Sequence, residues 1–446
     1  MIEKQDMEES ELQKKNVIWN ILGSFVYAFA SMLLSFVAIH LAGEERGGIF
    51  SFGFSTLGQQ LFLVAYFGIR PFQITDGRGE YSFGAYREHR NVTCLIALAA
   101  GSIFLMARHW AFKQGQGDYN GDKTMILLLL VIYKVIDGYA DVYESEFQRQ
   151  GRLYLTGKSN FFRTLLSVTV FVLTLALFGN LTFSCMAAVA AQAVGVIGLN
   201  MKVIRELPGV DWQVKAGDCI RLFRSTAFLF LSVFLDFYIF SAAKYAIDRR
   251  MSNTASGYFN LIFMPTSVIY LVANFVIRPY LTRLTDCWNA GELKEFSGTL
   301  LKIGRVIAAL TAVAVAGTLL LGRPVLSIME ILMGGDKGVL TVYQSSFVII
   351  VLGGGFYAMA NLMYYALVIM RRNGTILGIY GTAAAAAWIL SGALVSKAGI
   401  LGAALCYVIL MAGLMIGFGI CTAGLYQREK KEQIKDGGNE QKQSRE

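Results

Sequence analysis

The chain has 446 residues, of which 55% are hydrophobic and only 16% charged, with a mean hydropathy of +0.50. Those values exclude an ordinary soluble globular protein and fall in the range of polytopic membrane proteins. The formal net charge of +9 needs no nucleic acid, because basic loops facing anionic inner-leaflet lipid account for it.

Spanning a bilayer as a helix takes about 20 mostly apolar residues. Twelve such stretches can be marked, at 17–41, 48–67, 92–107, 124–143, 160–178, 183–203, 222–243, 257–277, 304–321, 339–369, 375–396 and 399–424. An all-α protein of twelve transmembrane helices is expected. The tail 1–16, MIEKQDMEESELQKKN, is too acidic for a signal peptide and lacks a cleavage pattern, so the first helix is expected to be retained. With both tails inside, 29 of the 40 Lys and Arg residues fall on the inner side and ten on the outer. By the positive-inside rule, both termini are expected in the cytoplasm.

The first span carries Asn16, Asn20, Ser24, Tyr27, Ser31 and Ser35, and the second carries Ser51, Ser55, Gln59, Phe62, Tyr66 and Arg70. Intervals of three and four align each set on one helix face. His40, near the outer end of the first span, reads as interfacial. The second span runs into FGIRPFQITD, residues 67–76, in which Arg70-Pro71 is expected to end the helix. In the fourth span Lys134, Asp137, Asp141 and Glu144 share one face, from mid-bilayer toward the cytoplasmic end. A charge at a helix centre costs about 2.5–3.5 kcal/mol on insertion scales, so these groups are not expected to face lipid. Two readings stand. One is a functional role in a water-filled cleft. The other is a structural Lys134–Asp137 pair, which runs in the less favourable direction for the helix dipole and leaves Asp141 without a partner. Arg163 and Arg224 are expected to snorkel at cytoplasmic helix ends.

The loop RELPGVDWQVKAGD near residue 210 separates six spans from six, giving an N-lobe at 17–209 and a C-lobe at 210–425 between the tails 1–16 and 426–446. The seventh span carries Ser225, Ser232 and Asp236, with Lys244 near its outer end; Asp236 is a candidate partner for Lys134. The eighth carries Asn260, Ser267 and Asn274 and runs into FVIRPYLTRLTD, residues 275–286, an echo of the first Arg-Pro phrase. Arg70 and Arg278 thus follow the second helix of each half, on the same side of the membrane. Two six-helix pseudo-repeated lobes, related by an axis along the membrane normal, are expected. The four striped helices are expected to line a central cleft, with hydrogen-bond glue the plainer alternative for any single residue. In the tenth span LGGGF, residues 352–356, reads as a packing or hinge segment, and Tyr357, Asn361 and Tyr364 as possible sugar contacts. The tail 426–446 is expected to be disordered.

No enzyme constellation is present: there is no Ser/His/Asp set and no phosphate loop, and only three histidines. The six scattered cysteines form no CxxC, so neither a disulfide framework nor a metal site is expected. No repeated filter segment suggests a channel. Transport is the simplest reading.

At residues 68–90, GIRPFQITDGRGEYSFGAYREHR, the chain resembles the Wzx-type polysaccharide (O-antigen) flippases. The features are Gly68-x-Arg70, Phe72-Gln73-x-Thr75-Asp76, Tyr81-Ser82-Phe83, Tyr86 and Arg90, and the opening KNVIWNILGSF is similar too. That family belongs to the superfamily that also holds multidrug (MATE) exporters and the lipid II flippase. The resemblance implies a bacterial cytoplasmic-membrane transporter that flips undecaprenyl-diphosphate-linked oligosaccharide to the outer leaflet for surface polysaccharide synthesis. Other glycan-assembly membrane proteins are possible partners, and no cofactor is expected beyond a coupling Na⁺ or H⁺. The cations assigned to the substrate are Lys134, Arg70 and Arg278, with Gln59 and Asn274 as polar contacts. Asp137, Asp141 and Asp236 are the candidate ion-coupling groups. A MATE-like cation exporter, which would want an acidic cleft, and a membrane-embedded glycan polymerase or ligase are the alternatives.

Overall fold

The computed structural model describes residues 2–76 and 79–443, with side chains described over 10–76 and 79–433. Among them every regular element is helical. The chain runs through α1 (Ile2–Ala42), α2 (Glu44–Phe52), a π-helical turn (Gly53–Leu57), α3 (Gly58–Tyr66), α4 (Ile69–Thr75), α5 (Phe83–Lys113) and α6 (Gly121–Arg149). It continues through α7 (Leu153–Phe178), α8 (Leu181–Val196), a second π-helical turn (Ile197–Met201) and α9 (Lys202–Glu206). The second half comprises α10 (Asp218–Arg250), α11 (Asn253–Phe263), α12 (Pro265–Ile277), α13 (Leu281–Asn289), α14 (Leu293–Met333), α15 (Gln344–Ile369) and α16 (Asn373–Gln443).

Ten of the described helical segments are long and apolar enough to cross a membrane. Two further features bring this into line with the expected twelve. α6 is left out of that set, and it is the helix that carries Lys134, Asp137, Asp141 and Glu144. α16 is two helices broken at Ala398 (φ −135°) and Gly399 (φ 55°). The third span, read as 92–107, is a 31-residue helix, α5. It starts early because Ser82 caps it, its hydroxyl accepting the Ala85 N–H at 3.1 Å. The tail expected to be disordered continues α16 as helix to Gln443, with an Arg428–Glu432 pair at 3.0 Å along it. Such i,i+4 pairs support an exposed helix.

Arg70-Pro71 does not end a helix but lies in the first turn of the next, whereas Arg278-Pro279 does follow directly on the end of α12. In the first, Phe67 (φ 50°) and Gly68 (φ 67°) form a left-handed corner between α3 and α4. In the second, Arg278–Tyr280 is a 3₁₀ turn joining α12 to α13. The difference follows from one position, Gly68 against Val276, since a β-branched residue disfavours positive φ. Phe67 bears the strain of its own positive φ under a ring stack with Phe230, centroids 4.0 Å apart, and an edge contact with Phe223 at 5.0 Å.

The helices form two compact units. One holds the chain up to Phe237 together with Asp248–Leu261 and Met329–Asp336; the other holds Tyr238–Ile247, Ile262–Ile328 and the chain from Lys337 onward. In the first unit α1 packs along α7, and α6 packs against α3, α5 and α8. The α1–α7 crossing is a backbone contact: a Cβ on Gly157 would lie 2.2 Å from the Trp19 carbonyl oxygen, and one on Gly23 would lie 2.2 Å from the Gly157 oxygen. Gly157→Leu is expected to push these helices apart and destabilise the protein by at least about 1–3 kcal/mol. Thermal unfolding of the purified variant measures this, and an unchanged midpoint would contradict the close crossing. In the second unit α15 packs against α12 and α16.

Candidate functional site: a buried ion ladder on α6

The 3, 4, 3 spacing on α6 places four charged side chains on its inner face. Lys134, Asp137, Asp141 and Glu144 are 3%, 5%, 6% and 3% exposed. Three arginines from three other helices meet them. Arg163 of α7 binds Asp137 at 2.5 Å with one nitrogen and Glu144 at 3.0 Å with the other. Arg70 of α4 binds Asp141 at 2.5 Å and approaches Glu144 at 3.9 Å. Arg90 of α5 binds the second Asp141 oxygen at 2.9 Å. Neutral groups complete the shell: Tyr27 donates to Asp137 at 2.7 Å, Gln192 to Asp137 at 3.3 Å, and Ser159 to Glu144 at 3.0 Å.

Three carboxylates therefore face three guanidinium groups, and Lys134 is left over. No carboxylate oxygen lies within 4.0 Å of its ammonium among the described residues; the contacts are the ring of Phe54 at 4.0 Å and that of Tyr27 at 5.9 Å. Neither the Lys134–Asp137 pair nor the Lys134–Asp236 pair considered from sequence forms. Arg163 takes Asp137 instead, because a planar fork can bridge two carboxylates at once. The site around Lys134 has its own backbone features. Phe54 lies in the π-helical turn, an element frequent at functional positions. A Cβ on Gly58 would come within 2.9 Å of Lys134 Cγ, so glycine there makes room for the lysine stem.

Two sequence readings are corrected. Arg163 does not snorkel at a helix end; it is 2% exposed and bridges two acids. Asp141 does not lack a partner; it has Arg70 and Arg90. Arg224 is exposed, as a snorkelling residue would be. The roles of Arg90, Arg163 and Tyr27 were missed. The available signal was charge balance, since acids buried together on one helix need bases from elsewhere.

The stripe residues divide between the site and packing. Asn16 donates to the Gly151 carbonyl at 2.9 Å and accepts the Tyr154 N–H at 2.8 Å, stitching α1 to the start of α7. Ser55 donates to the Ser51 carbonyl at 2.6 Å and lies 3.2 Å from Asn260 Oδ1. These act as glue. Gln59 is half-buried beside them, while its neighbour Gln60 donates to the Phe234 carbonyl at 3.2 Å. Asp236 is half-buried on α10. Asn274 and Arg278 belong to the other unit. There Asn274 is buried and donates to the Tyr270 carbonyl at 2.9 Å, accepting from Asn361 at 3.4 Å, and Arg278 is exposed. The structure thus brings Arg70, Asp137 and Asp141 into one network through Glu144 and Arg163, with Lys134 beside it on the same face of α6.

The 68–90 motif has a physical explanation as the scaffold beneath the ladder. Gln73 donates to the Val142 carbonyl at 3.1 Å and to Glu146 at 3.3 Å. Asp76 accepts the Glu80 and Tyr81 N–H groups at 2.8 and 3.0 Å and the Tyr86 hydroxyl at 3.0 Å. Burial pushes the Asp76 carboxyl up, but those donors outweigh it and hold the group below the usual carboxylate range. Phe83 and Tyr86 are fully buried in a cluster with Tyr143 and Phe147 of α6.

A second ion cluster lies at the other end of α6. Lys123, fully buried, donates to Asp118 at 2.9 Å, Asp248 at 2.8 Å and Asn253 at 2.8 Å, using all three of its N–H donors. Tyr119 also donates to Asp248. This knot joins the start of α6 to the α10–α11 turn. Lys123→Ala strands Asp248, which is 4% exposed, and is expected to cost about 3–5 kcal/mol. A denaturant titration of the variant reads this loss, and wild-type stability would show the knot to be dispensable.

No protein-family profile matches the chain, and no curated protein matches it in sequence. Solved structures do match in fold. A multidrug-resistance MATE family transporter of the MOP superfamily, in an inward-facing conformation, superposes with a TM-score of 0.68 at 11% identity, covering 92% of this chain and 99% of its own. The lipid II flippase MurJ, in an inward closed conformation, gives 0.68 at 12% identity over 90% of this chain and 87% of its own. A eukaryotic MATE transporter, AtDTX14, gives 0.64 at 11% identity over 94% and 99%. The chain therefore has the multi-pass, all-helical fold of these transporters.

Proposed function

We propose that the protein is a membrane transporter that flips an undecaprenyl-diphosphate-linked oligosaccharide from the cytoplasmic to the outer leaflet by alternating access. The observation that supports this reading is the ammonium of Lys134, buried with no carboxylate oxygen within 4.0 Å among the described residues and only the through-space charge of Asp137 one turn away. A buried cation without a close ion pair is costly unless an anion visits it, and a diphosphate is such an anion. Arg70, with its side chain 24% exposed, is the second cation within this network, and Arg278, Gln59 and Asn274 are carried in the proposal as further contacts. A coupling Na⁺ or H⁺ at Asp137, Asp141 or Asp236 is also part of it. At Asp137 and Asp141 such an ion would have to displace an arginine.

The likeness to MATE transporters favours a second reading, a multidrug or cation exporter. The charge around Lys134 opposes it, because a cationic drug would meet an unpaired ammonium rather than a free carboxylate. Under the proposed reading the protein resides in a bacterial cytoplasmic membrane with both termini inside, beside other glycan-assembly proteins. Deleting the protein is expected to trap lipid-linked oligosaccharide on the cytoplasmic leaflet. Normal glycan output combined with lost dye efflux would instead establish the exporter.

A further inference from the structure

Lys244 of α10, in the second unit, is 7% exposed. Like Lys134, it has no carboxylate within 4.0 Å and no hydrogen bond among the described residues; its ammonium lies 4.4 Å from the centroid of the Phe263 ring. One ring face does not replace the acceptors that three N–H donors require. Phe263 in turn packs with Phe240 at 5.1 Å and Tyr407 at 4.6 Å, an aromatic wall that supplies no counter-charge.

One turn earlier lies Ser241, fully buried, whose hydroxyl also has no hydrogen-bond partner. A helical serine ordinarily donates to the carbonyl four residues back, as Ser232 of the same helix does to Phe228 at 2.9 Å. Ser241 does not. Side chains three apart on a helix are neighbours, so an idle hydroxyl and an idle ammonium stand side by side, both sheltered from water. A phosphate oxygen satisfies both.

Resting on the flippase reading above, we infer that Lys244 and Ser241 form a second phosphate station. It binds the cargo's diphosphate in addition to the Lys134 site. The probe is farnesyl diphosphate, titrated calorimetrically into the purified full-length protein in neutral detergent. Wild type is expected to bind two equivalents, and Lys244→Met and Lys134→Met one each. Lys244→Arg keeps two, and Ser241→Ala weakens the second equivalent about three- to tenfold. Lys244→Met also replaces a partnerless ammonium by an apolar side chain of similar length, so its unliganded melting temperature should not fall. A merely structural lysine would lower it.

Two equivalents in Lys244→Met, or a lower melting temperature with binding unchanged, overturns the second station and leaves the flippase reading intact. No binding by wild type overturns both. Displacement of the second equivalent by phosphatidylglycerol at equal concentration would make this a bilayer-headgroup site and overturn the assignment to cargo.

Discussion

Lys134→Ala is expected to abolish translocation while leaving a folded, membrane-inserted protein. The two halves of that expectation have one cause. Lys134 is 3% exposed and its ammonium has no carboxylate oxygen within 4.0 Å among the described residues, so its removal breaks no direct ion pair. Folding then loses little. Under the proposed reading, transport loses the charge assigned to the diphosphate in a low-dielectric setting, where truncating one member of a buried ion pair costs about 2–5 kcal/mol. A thirtyfold to several-thousandfold drop in flux follows. The assay is surface-glycan output together with the leaflet distribution of the lipid-linked precursor. Wild-type output from the variant would remove Lys134 from the mechanism. Lys134→Arg should recover only part, because the lysine stem passes so close to Gly58 that a Cβ there would lie 2.9 Å from Lys134 Cγ, and a planar guanidinium does not replace a compact ammonium in so tight a site.

Arg163→Ala is the opposite case. It removes the bridging cation from Asp137 and Glu144 together, both nearly sealed from solvent. Removing one partner of a buried ion pair costs about 3–5 kcal/mol; Tyr27, Gln192 and Ser159 still donate to the two carboxylates, but no cation then lies closer than Arg70 at 3.9 Å from Glu144. Low yield and a collapsed unfolding midpoint are expected. Arg163→Lys should rescue part of the charge but not the fork. The double variant Arg163→Leu/Asp137→Leu should be more stable than Arg163→Ala, since one stranded acid disappears with its partner. If Arg163→Ala unfolds like wild type, the ladder is not what holds α6 and α7 together.

The helices were legible because apolar length is a strong signal. What escaped was local. α5 is longer than its apolar stretch, since Ser82 caps it before hydrophobicity begins. The corner at Phe67 and Gly68 lies inside a phrase whose echo, with valine at 276, folds as a 3₁₀ turn. Within the site, periodicity found the four charges of α6 because one helix carries them all. It could not find Arg90 and Arg163, because spacing along a helix does not say which distant helix will face it. The stripe residues show the same limit. Ser55 and Asn16 have the periodicity of a cleft face, but their hydrogen bonds go to backbone and to neighbouring amides.

The ladder also constrains how the chain is made. α6 carries four ionisable groups on one side, each costing about 2.5–3.5 kcal/mol near a bilayer centre, so it is a poor candidate to leave the translocon alone. Arg70 and Arg90 are already synthesised when Asp141 emerges, but Arg163 follows Asp137 by 26 residues. α6 must therefore linger in a wet or proteinaceous setting until α7 arrives, and a nascent chain truncated before Arg163 should leave it uninserted.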